Sequence, residues 1–529
     1  MGSQDLQAKV IEHEWYSALT AEERLRAFSC NGTAGVADSP SPDRAARLGQ
    51  WLEKRRILRP TYLADMNCSD TELSRILATA YEPDVLAQAI PSDWLYRLSE
   101  AATFDPSTEL ELIDFASFVA PFVGWAAEKL DARLAALATE ATRFVIPVSL
   151  LKHSFADKLK GKLVWMSYRV LVLELNVARL QGRLEGASPQ QRYCSFVKLL
   201  GDSGFRSELL REYPVLARQL SEYAAMWLEE ASEFAERLYS DWNELKKRFP
   251  EIAQAGEIET LSLEQGDSHR RGRSVTIVNF KSGTRIVYKP RSMSLDVHFQ
   301  QLLAWLNGQG ISLPFRTISI WDRGAYGWSE FVPFAPCSTV EEIRRFYKRQ
   351  GGYLALLYVL EATDFHAHNL IACCEHPMLV DLEGLLHPRY KPADPSSAAQ
   401  LGNWAMGKSV IRVGLLPRNS RSSPDGGGLD LSGLGGEPGQ AYPMRVPSWE
   451  GIGTDEMRYT EESRLYSGGE NRPKLGGEHV QTSDYAKEIV EGFAEMYRLL
   501  KQHGSSLLEA SGPLAPFASD ETRVLMRGT

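Results

Sequence analysis

Two short apolar runs, Leu370-Ile-Ala-Cys-Cys374 and Met378-Leu-Val380, are split by Glu375-His-Pro377 and bracketed outside by polar residues. Runs this short around a turn-forming tripeptide have one compact solution, an antiparallel hairpin. The open end of that hairpin gathers Asp364-Phe-His366-Ala-His368-Asn369 on one side and Asp381-Leu-Glu383 on the other. Pairing sets Asn369 across from Asp381, two hard oxygen donors suited to Mg²⁺, with phosphate oxygens completing its shell. Asp364 stands five residues before the asparagine, placed to orient or deprotonate a nucleophile. A base, an Asn and an Asp for metal, and a remote lysine for the nucleotide are the parts of a phosphoryl-transfer site.

The remote lysine is Lys289. Ser274–Phe280 and Thr284–Tyr288 are β-rich runs joined by Lys281-Ser-Gly283, a hairpin signal, with Lys289 closing the second strand and Pro290 stopping it. After Ser294, the apolar residues Leu295, Phe299, Leu302, Leu303 and Leu306 recur at helical spacing. A strand lysine followed by a helix is how kinases hold nucleotide phosphates. Tyr326–Val332 reads as another strand, and Ile343–Glu361 as a mostly apolar helix that delivers the chain into Asp364. The order of elements is that of a kinase.

The familiar kinase signatures are absent. The sequence has no His-Arg-Asp loop or Asp-Phe-Gly. Where a glycine-rich loop should precede Lys289 there is Gly266-Asp-Ser-His269, a carboxylate and an imidazole where phosphates should sit. Such extra acid–base groups suggest a second reaction. Taken singly, each signal has a plain structural reading: Asp-x-His as a capped turn, a strand-closing lysine as a solvated edge residue. His366 and His368, at strand spacing, also admit zinc, although the neighbouring Asn and acids are hard-metal groups. The sequential order carries the weight.

In that order the motifs resemble the dehydratase half of class II lanthipeptide synthetases, the LanM type. The matching segments are Gly266-Asp-Ser-His269, Val287-Tyr-Lys-Pro-Arg291, Tyr326-Gly-Trp-Ser-Glu330, Asp364-x-His366-x-x-Asn369 and Asp381-x-Glu383, with Arg523, Arg527 and Thr529 near the end. Helical signatures upstream, Leu171–Gly182, Gln191–Phe196 and Glu212–Ala217, extend the resemblance to roughly residue 145. It implies a lipid-kinase-like fold that phosphorylates Ser and Thr of a ribosomal precursor peptide from ATP, then eliminates phosphate to leave dehydroalanine and dehydrobutyrine. By similarity, Asp267, His269, Arg523 and Thr529 form the elimination and phosphate-handling set. Lys289 holds nucleotide phosphate and serves both half-reactions. Asp364 is the phosphorylation base, supported by His366, and Asn369, Asp381 and Glu383 bind Mg²⁺. ATP and ADP are the implied nucleotides.

This sequence departs from the family's pattern at His368, where an acidic residue is common, and in offering only Asp296 on the helix after Lys289, with Glu330 as an alternative partner. Full-length members carry a C-terminal zinc cyclase of several hundred residues; this chain should dehydrate without forming rings, the cyclase being separate or excised. Ser519-Asp-Glu-Thr522 reads as a helix start, which sets Arg523 and Arg527 one turn apart, a geometry suited to clamping phosphate. The chain stops at Thr529, itself a candidate, as a fragment of a longer protein would.

Composition bounds the remainder. At 529 residues, 43% hydrophobic and 24% charged, the chain is that of a soluble globular protein. Its net charge of −9 argues against nucleic acid as the main partner. Six scattered cysteines show neither a disulfide framework nor zinc spacing, and no apolar run reaches membrane-spanning length, so a cytoplasmic location is expected. The expected class is α+β: a helical N-terminal region over 1–145, a helical subdomain over 146–255, a kinase-like N-lobe over 256–335 and a C-lobe over 336–529 with a loop-rich, activation-type segment at 391–480. Two other readings remain: a peptide or lipid kinase that stops at phosphorylation, and a pseudokinase-like peptide-binding scaffold.

Overall fold

Alternation in Arg273–Phe280 puts every second side chain into the core, Val278 and Phe280 among them, and so makes one face of a sheet. The computed structural model describes residues 93–104, 114–137, 147–269, 271–388, 397–418 and 428–525, with isolated residues between 15 and 23 and at 69. The chain divides into two compact units, one of residues 1–143, 148–239 and 450–458, the other of 144–147, 240–449 and 459–529.

The first unit is helical among its described residues. It contains α1 (Asp93–Ala102), α2 (Ala116–Leu137), α3 (Val148–Leu180), α4 (Pro189–Gly201), α5 (Ser203–Glu212) and most of α6 (Pro214–Arg248). The helix carrying the Leu171–Gly182 signature begins well before it, at Val148, because Leu151, Phe155, Leu159 and Leu163 continue its buried stripe. Buried Lys158 and Glu230 pair at 2.8 Å, and Trp227 Nε1 donates to the Phe155 carbonyl at 2.6 Å. The segment 450–458 belongs to this unit: fully buried Asp455 meets Arg192 Nε at 2.5 Å, and Asn176 Nδ2 donates to the Met457 carbonyl at 2.9 Å.

The second unit mixes sheet and helix, as the α+β expectation holds. Its five-stranded antiparallel sheet comprises β1 (Ile258–His269), β2 (Arg273–Phe280), β3 (Arg285–Lys289), β4 (Ile320–Asp322) and β5 (Gly327–Glu330), in the order β1-β2-β3-β5-β4. The pairing of β1 slips at three points, the last two around Gln265, and Glu264 and Gly266 have φ of 58° and 92°. Such bulges re-aim a strand next to a site. On the other edge, buried Asp241 at the end of α6 accepts from Tyr326 Oη at 2.9 Å and Trp328 Nε1 at 2.8 Å, which gives the Tyr-Gly-Trp motif a structural role.

Below the sheet lie α7 (Ser294–Asn307), α8 (Val340–Val359), α9 (Ala398–Gly407) and α10 (Ala486–Gln502). A capping box between Thr339 and Glu342 starts α8, and its apolar side joins Leu295, Phe299, Met496 and Leu500 in one core. Helices α8 and α10 cross in near-contact. A Cβ at Gly351 would lie 2.0 Å from the Ile489 carbonyl oxygen, and one at Gly492 would lie 1.8 Å from that of Lys348. No described helix is long and apolar enough to cross a membrane.

Since backbone has nowhere to give at this crossing, Gly492→Ala should lower unfolding stability by about 1–3 kcal/mol. Gly161→Ala, on an α3 position with nothing within 4 Å, should raise it by about 0.5–1 kcal/mol. Denaturant melts of the two variants check the contrast; equal effects would contradict it.

Candidate active site

The chain leaves α8 through Glu361 (φ 54°) and reaches Asp364 at φ 68°, two non-glycine residues in the left-handed region. Backbone of this kind persists only where its surroundings over-determine it. Here Thr363 N–H donates to Gly384 O at 3.0 Å, Phe365 N–H to Val413 O at 3.0 Å and Ala367 N–H to Leu431 O at 2.8 Å. Gly384 is obligatory, since a Cβ there would stand 2.2 Å from the Thr363 oxygen. The Asp364 carbonyl accepts from Asn369 Nδ2 at 2.8 Å, which leaves Oδ1 as the metal-compatible end of that amide.

His366 Nδ1 accepts from the His368 N–H at 3.2 Å, a contact that assigns the ring proton to Nε2. That nitrogen lies 4.0 Å from Asp364 Oδ2. His368 Nε2 is 3.2 Å from Tyr466 Oη. Burial pushes the Tyr466 phenol above its ordinary value of 10.0, with Tyr442 adding to the shift, so the phenol holds its proton at neutral pH. With Nδ1 of His366 and Nε2 of His368 engaged in these bonds, the two rings do not present a zinc pair.

The expected hairpin is present as β6 (Leu370–Cys373) and β7 (His376–Leu379). Val380 N–H donates to the Asn369 carbonyl at 3.0 Å, so Asn369 faces Val380 and Asp381 lies one residue beyond. Asp381 is 40% exposed. Its carboxylate and Asn369 Oδ1 are hard oxygens that fit Mg²⁺. Among the described residues no three His, Cys, Asp or Glu side chains cluster to hold a metal. Mg²⁺ in phosphate-transfer sites takes one or two protein oxygens and completes its shell with phosphate and water.

Behind the hairpin sits an ionic cluster. Lys289 Nζ lies 3.1 Å from Asp296 Oδ1 and donates to the Val380 carbonyl at 2.7 Å. Asp296 is therefore the lysine's partner, while Glu330 is taken by Arg316 at 2.5 Å. Arg291 reaches Asp296 at 2.7 Å, Glu383 at 2.7 Å and Asp381 at 3.6 Å. Burial works against the Asp296 carboxylate, whose side chain is 4% exposed, but Lys289 and then Arg291 hold it below its usual range. Burial likewise opposes the Arg291 charge, yet Asp296, Asp381 and Glu383 raise its pKa above the ordinary value. Arg291 closes the Val287–Arg291 motif, and its place between three carboxylates gives it a role that local spacing does not show.

The C-terminal stretch differs from expectation. A 3₁₀ turn ends at Ser519, and Asp520–Leu525 run without helix instead of beginning one. Their polar groups have other partners: Asp520 Oδ2 is 2.7 Å from His298 Nδ1, Arg523 N–H donates to Glu383 O at 2.9 Å, and Leu525 N–H donates to His387 Nε2 at 2.9 Å. Arg523 is thereby brought to the site, its guanidinium 3.8 Å from Glu383. Arg527 and Thr529 lie outside the described residues, as do the side chains of Asp267 and His269, whose backbone continues β1.

A cleft of about 2060 Å³ within this unit is lined by Lys289, Asp364, His366, Asn369, Asp381, Glu383 and Arg523, with Gly266 on its sheet side. Residues 213–529 match the family model for a domain of unknown function, DUF4135. The chain belongs to the DUF4135 family. The matched range takes in every candidate residue of the site, from Asp267 to Thr529. The lacticin 481/lactococcin biosynthesis protein LcnDR2 of Lactococcus lactis subsp. lactis is 27% identical over 392 residues, covering 70% of this chain and 41% of the relative. This DUF4135 protein thus spans under half of that relative's length. The relationship to LanM-type lanthipeptide synthetases expected from the motifs is borne out.

Removing the Asp296 charge strands two cations, so Asp296→Asn should cost about 3–5 kcal/mol at neutral pH. The Asp296 contribution is complete above its ordinary value of 3.8 and is lost as pH falls below it, through the lower folded value. Melting temperatures of both proteins should therefore converge in acid; a gap that stays constant with pH would contradict the assignment.

Proposed function

We propose that this protein dehydrates Ser and Thr residues of a ribosomally made lanthipeptide precursor, by phosphorylation from ATP followed by elimination of phosphate. The observation that carries the reading is one cleft lined by two kinds of group: the Asp364, Asn369, Asp381 and Lys289 set of a phosphoryl transfer, and Arg523 beside it. A kinase alone has no need of the second kind. The sheet bearing Lys289 and the helical part bearing Asp364 are read as the two lobes of a lipid-kinase-like fold. Similarity to a lacticin 481/lactococcin biosynthesis protein supports a precursor peptide as substrate, which we read as a leader followed by a Ser/Thr-rich core.

In the first step Asp364 takes the proton of the Ser or Thr hydroxyl as its oxygen bonds to the γ-phosphorus and the bond to ADP breaks. His366, with Nε2 4.0 Å from Asp364 Oδ2, orients that carboxylate. Lys289 binds nucleotide phosphate. Asn369 and Asp381 would hold Mg²⁺, which would supply neutralising charge to the phosphoryl group. In the second step a base from the Asp267, His269 and Thr529 set removes the α-proton. The Cα–H electron pair forms the Cα=Cβ bond, the Cβ–O bond breaks, and the phosphate leaves with the electrons of the Cβ–O bond toward Arg523 and Lys289. The reading implies a cytoplasmic enzyme, and the free thiols of Cys194, Cys337, Cys373 and Cys374 accord with it.

Incubation with a precursor peptide, ATP and Mg²⁺, followed by intact-mass measurement, tests the reading. The wild-type protein should remove one water per modified residue. Asp364→Ala should leave the peptide unchanged, and Arg523→Met should accumulate phosphopeptide, because phosphorylation survives while the leaving group loses its clamp. Stable phosphopeptide from the wild type would make the protein a kinase only. Absence of any ATP consumption would make it a binding scaffold.

A further inference from the structure

Glu383 follows Asp381 by two residues, a spacing that invites the assignment of both carboxylates to one metal. Their surroundings differ. Asp381 is 40% exposed in the cleft and meets Arg291 only at 3.6 Å. Glu383 is 17% exposed, and its two oxygens are divided between guanidiniums, Oε1 to Arg291 Nε at 2.7 Å and Oε2 to Arg523 Nη1 at 3.8 Å. Its carbonyl also accepts the Arg523 backbone N–H at 2.9 Å, so the arginine is held at two points. Arg291 is anchored in turn by Asp296 at 2.7 Å, and Asp296 by Lys289 at 3.1 Å.

Alternating charges therefore run without a break from Lys289 through Asp296, Arg291 and Glu383 to Arg523. A cation entering at Asp381 disturbs one long contact. A cation entering at Glu383 has to displace a guanidinium that is itself largely buried and already seated by a second carboxylate, and it would meet positive charge on both sides. Asp381 fits a metal; Glu383 does not.

We propose that Glu383 is a positioning residue, not a metal ligand: shared between Arg291 and Arg523, it seats the arginine that receives the leaving phosphate and couples it to the lysine that holds nucleotide. The role rests on the dehydratase reading above. A single carboxylate then links the strand used in phosphorylation to the segment used in elimination, and its loss separates the two half-reactions.

The test uses the full chain with a single-Ser precursor peptide and, separately, the same peptide already phosphorylated at that Ser. Glu383→Gln should phosphorylate the first peptide with an unchanged Mg²⁺ concentration for half-maximal ATP consumption. It should eliminate from the second about 10- to 100-fold more slowly, the penalty of a displaced reacting group. Stabilisation of the variant against heat by Mg²⁺ and ATP should match wild type, whereas Asp381→Asn should weaken it. Glu383→Asp, which keeps the charge one methylene short, should show the same split in milder form and covers a fold defect in the first variant. A raised Mg²⁺ requirement in the Glu383 variants would make the residue a ligand and end the proposal. Elimination at the wild-type rate by both would end it too. Should the wild-type protein leave peptide untouched, the dehydratase reading fails, and the Mg²⁺ titration of thermal stability still decides whether Glu383 binds metal.

Discussion

Asp296 is a carboxylate almost wholly removed from water, with Lys289 at 3.1 Å and Arg291 at 2.7 Å. An isolated charge in that place would be untenable, and the pairs around it are not free stability, since the desolvation of each ion offsets most of its attraction. What they contribute is geometry. Because no member can move without stranding another, strand β3, helix α7 and the Asp381–Glu383 turn are held at fixed spacing. Lys289 adds a bond to the Val380 carbonyl and locks the end of the hairpin to the same point.

The other half of the site is held by backbone. Asp364 is kept in the left-handed region by carbonyl acceptors around the turn, contributed by Gly384, Val413 and Leu431. The loop-rich segment is the source of two of these three contacts. Part of it is clamped by Asn471, whose Nδ2 donates to the carbonyls of Gly433 and Gly435 at 2.9 Å each. The stretch expected to be loop-rich also forms α9 and short strands such as Val446–Glu450, and its irregular parts supply the strained turn with partners.

Much of this was legible from local pattern. The β2–β3 turn at Gly283, the helix after Ser294, the buried helix α8 and the hairpin at Leu370–Leu379 each rest on periodicity or turn chemistry within a few residues. The misreadings share a cause. A helix from Ser519 was reasonable on capping grounds, but the N–H groups of Arg523 and Leu525 found tertiary acceptors at Glu383 and His387 that no local rule contains. Asn369 and Asp381 came out one residue away from facing each other because register depends on the pairing itself. Tyr466 and Asp241 gained their roles from partners 98 and 85 residues distant, His368 and Tyr326, and Arg291 from Asp381 and Glu383 together with nearby Asp296.

The central claim is that one site adds a phosphate and then expels it with the oxygen of the side chain. The most direct measurement is the reaction of protein, ATP, Mg²⁺ and precursor peptide in heavy-oxygen water, with mass analysis of the phosphate released. Elimination breaks the Cβ–O bond, so phosphate released in step with dehydration should carry no solvent oxygen. Heavy oxygen in that phosphate would mean attack of water on phosphorus, and would contradict the account.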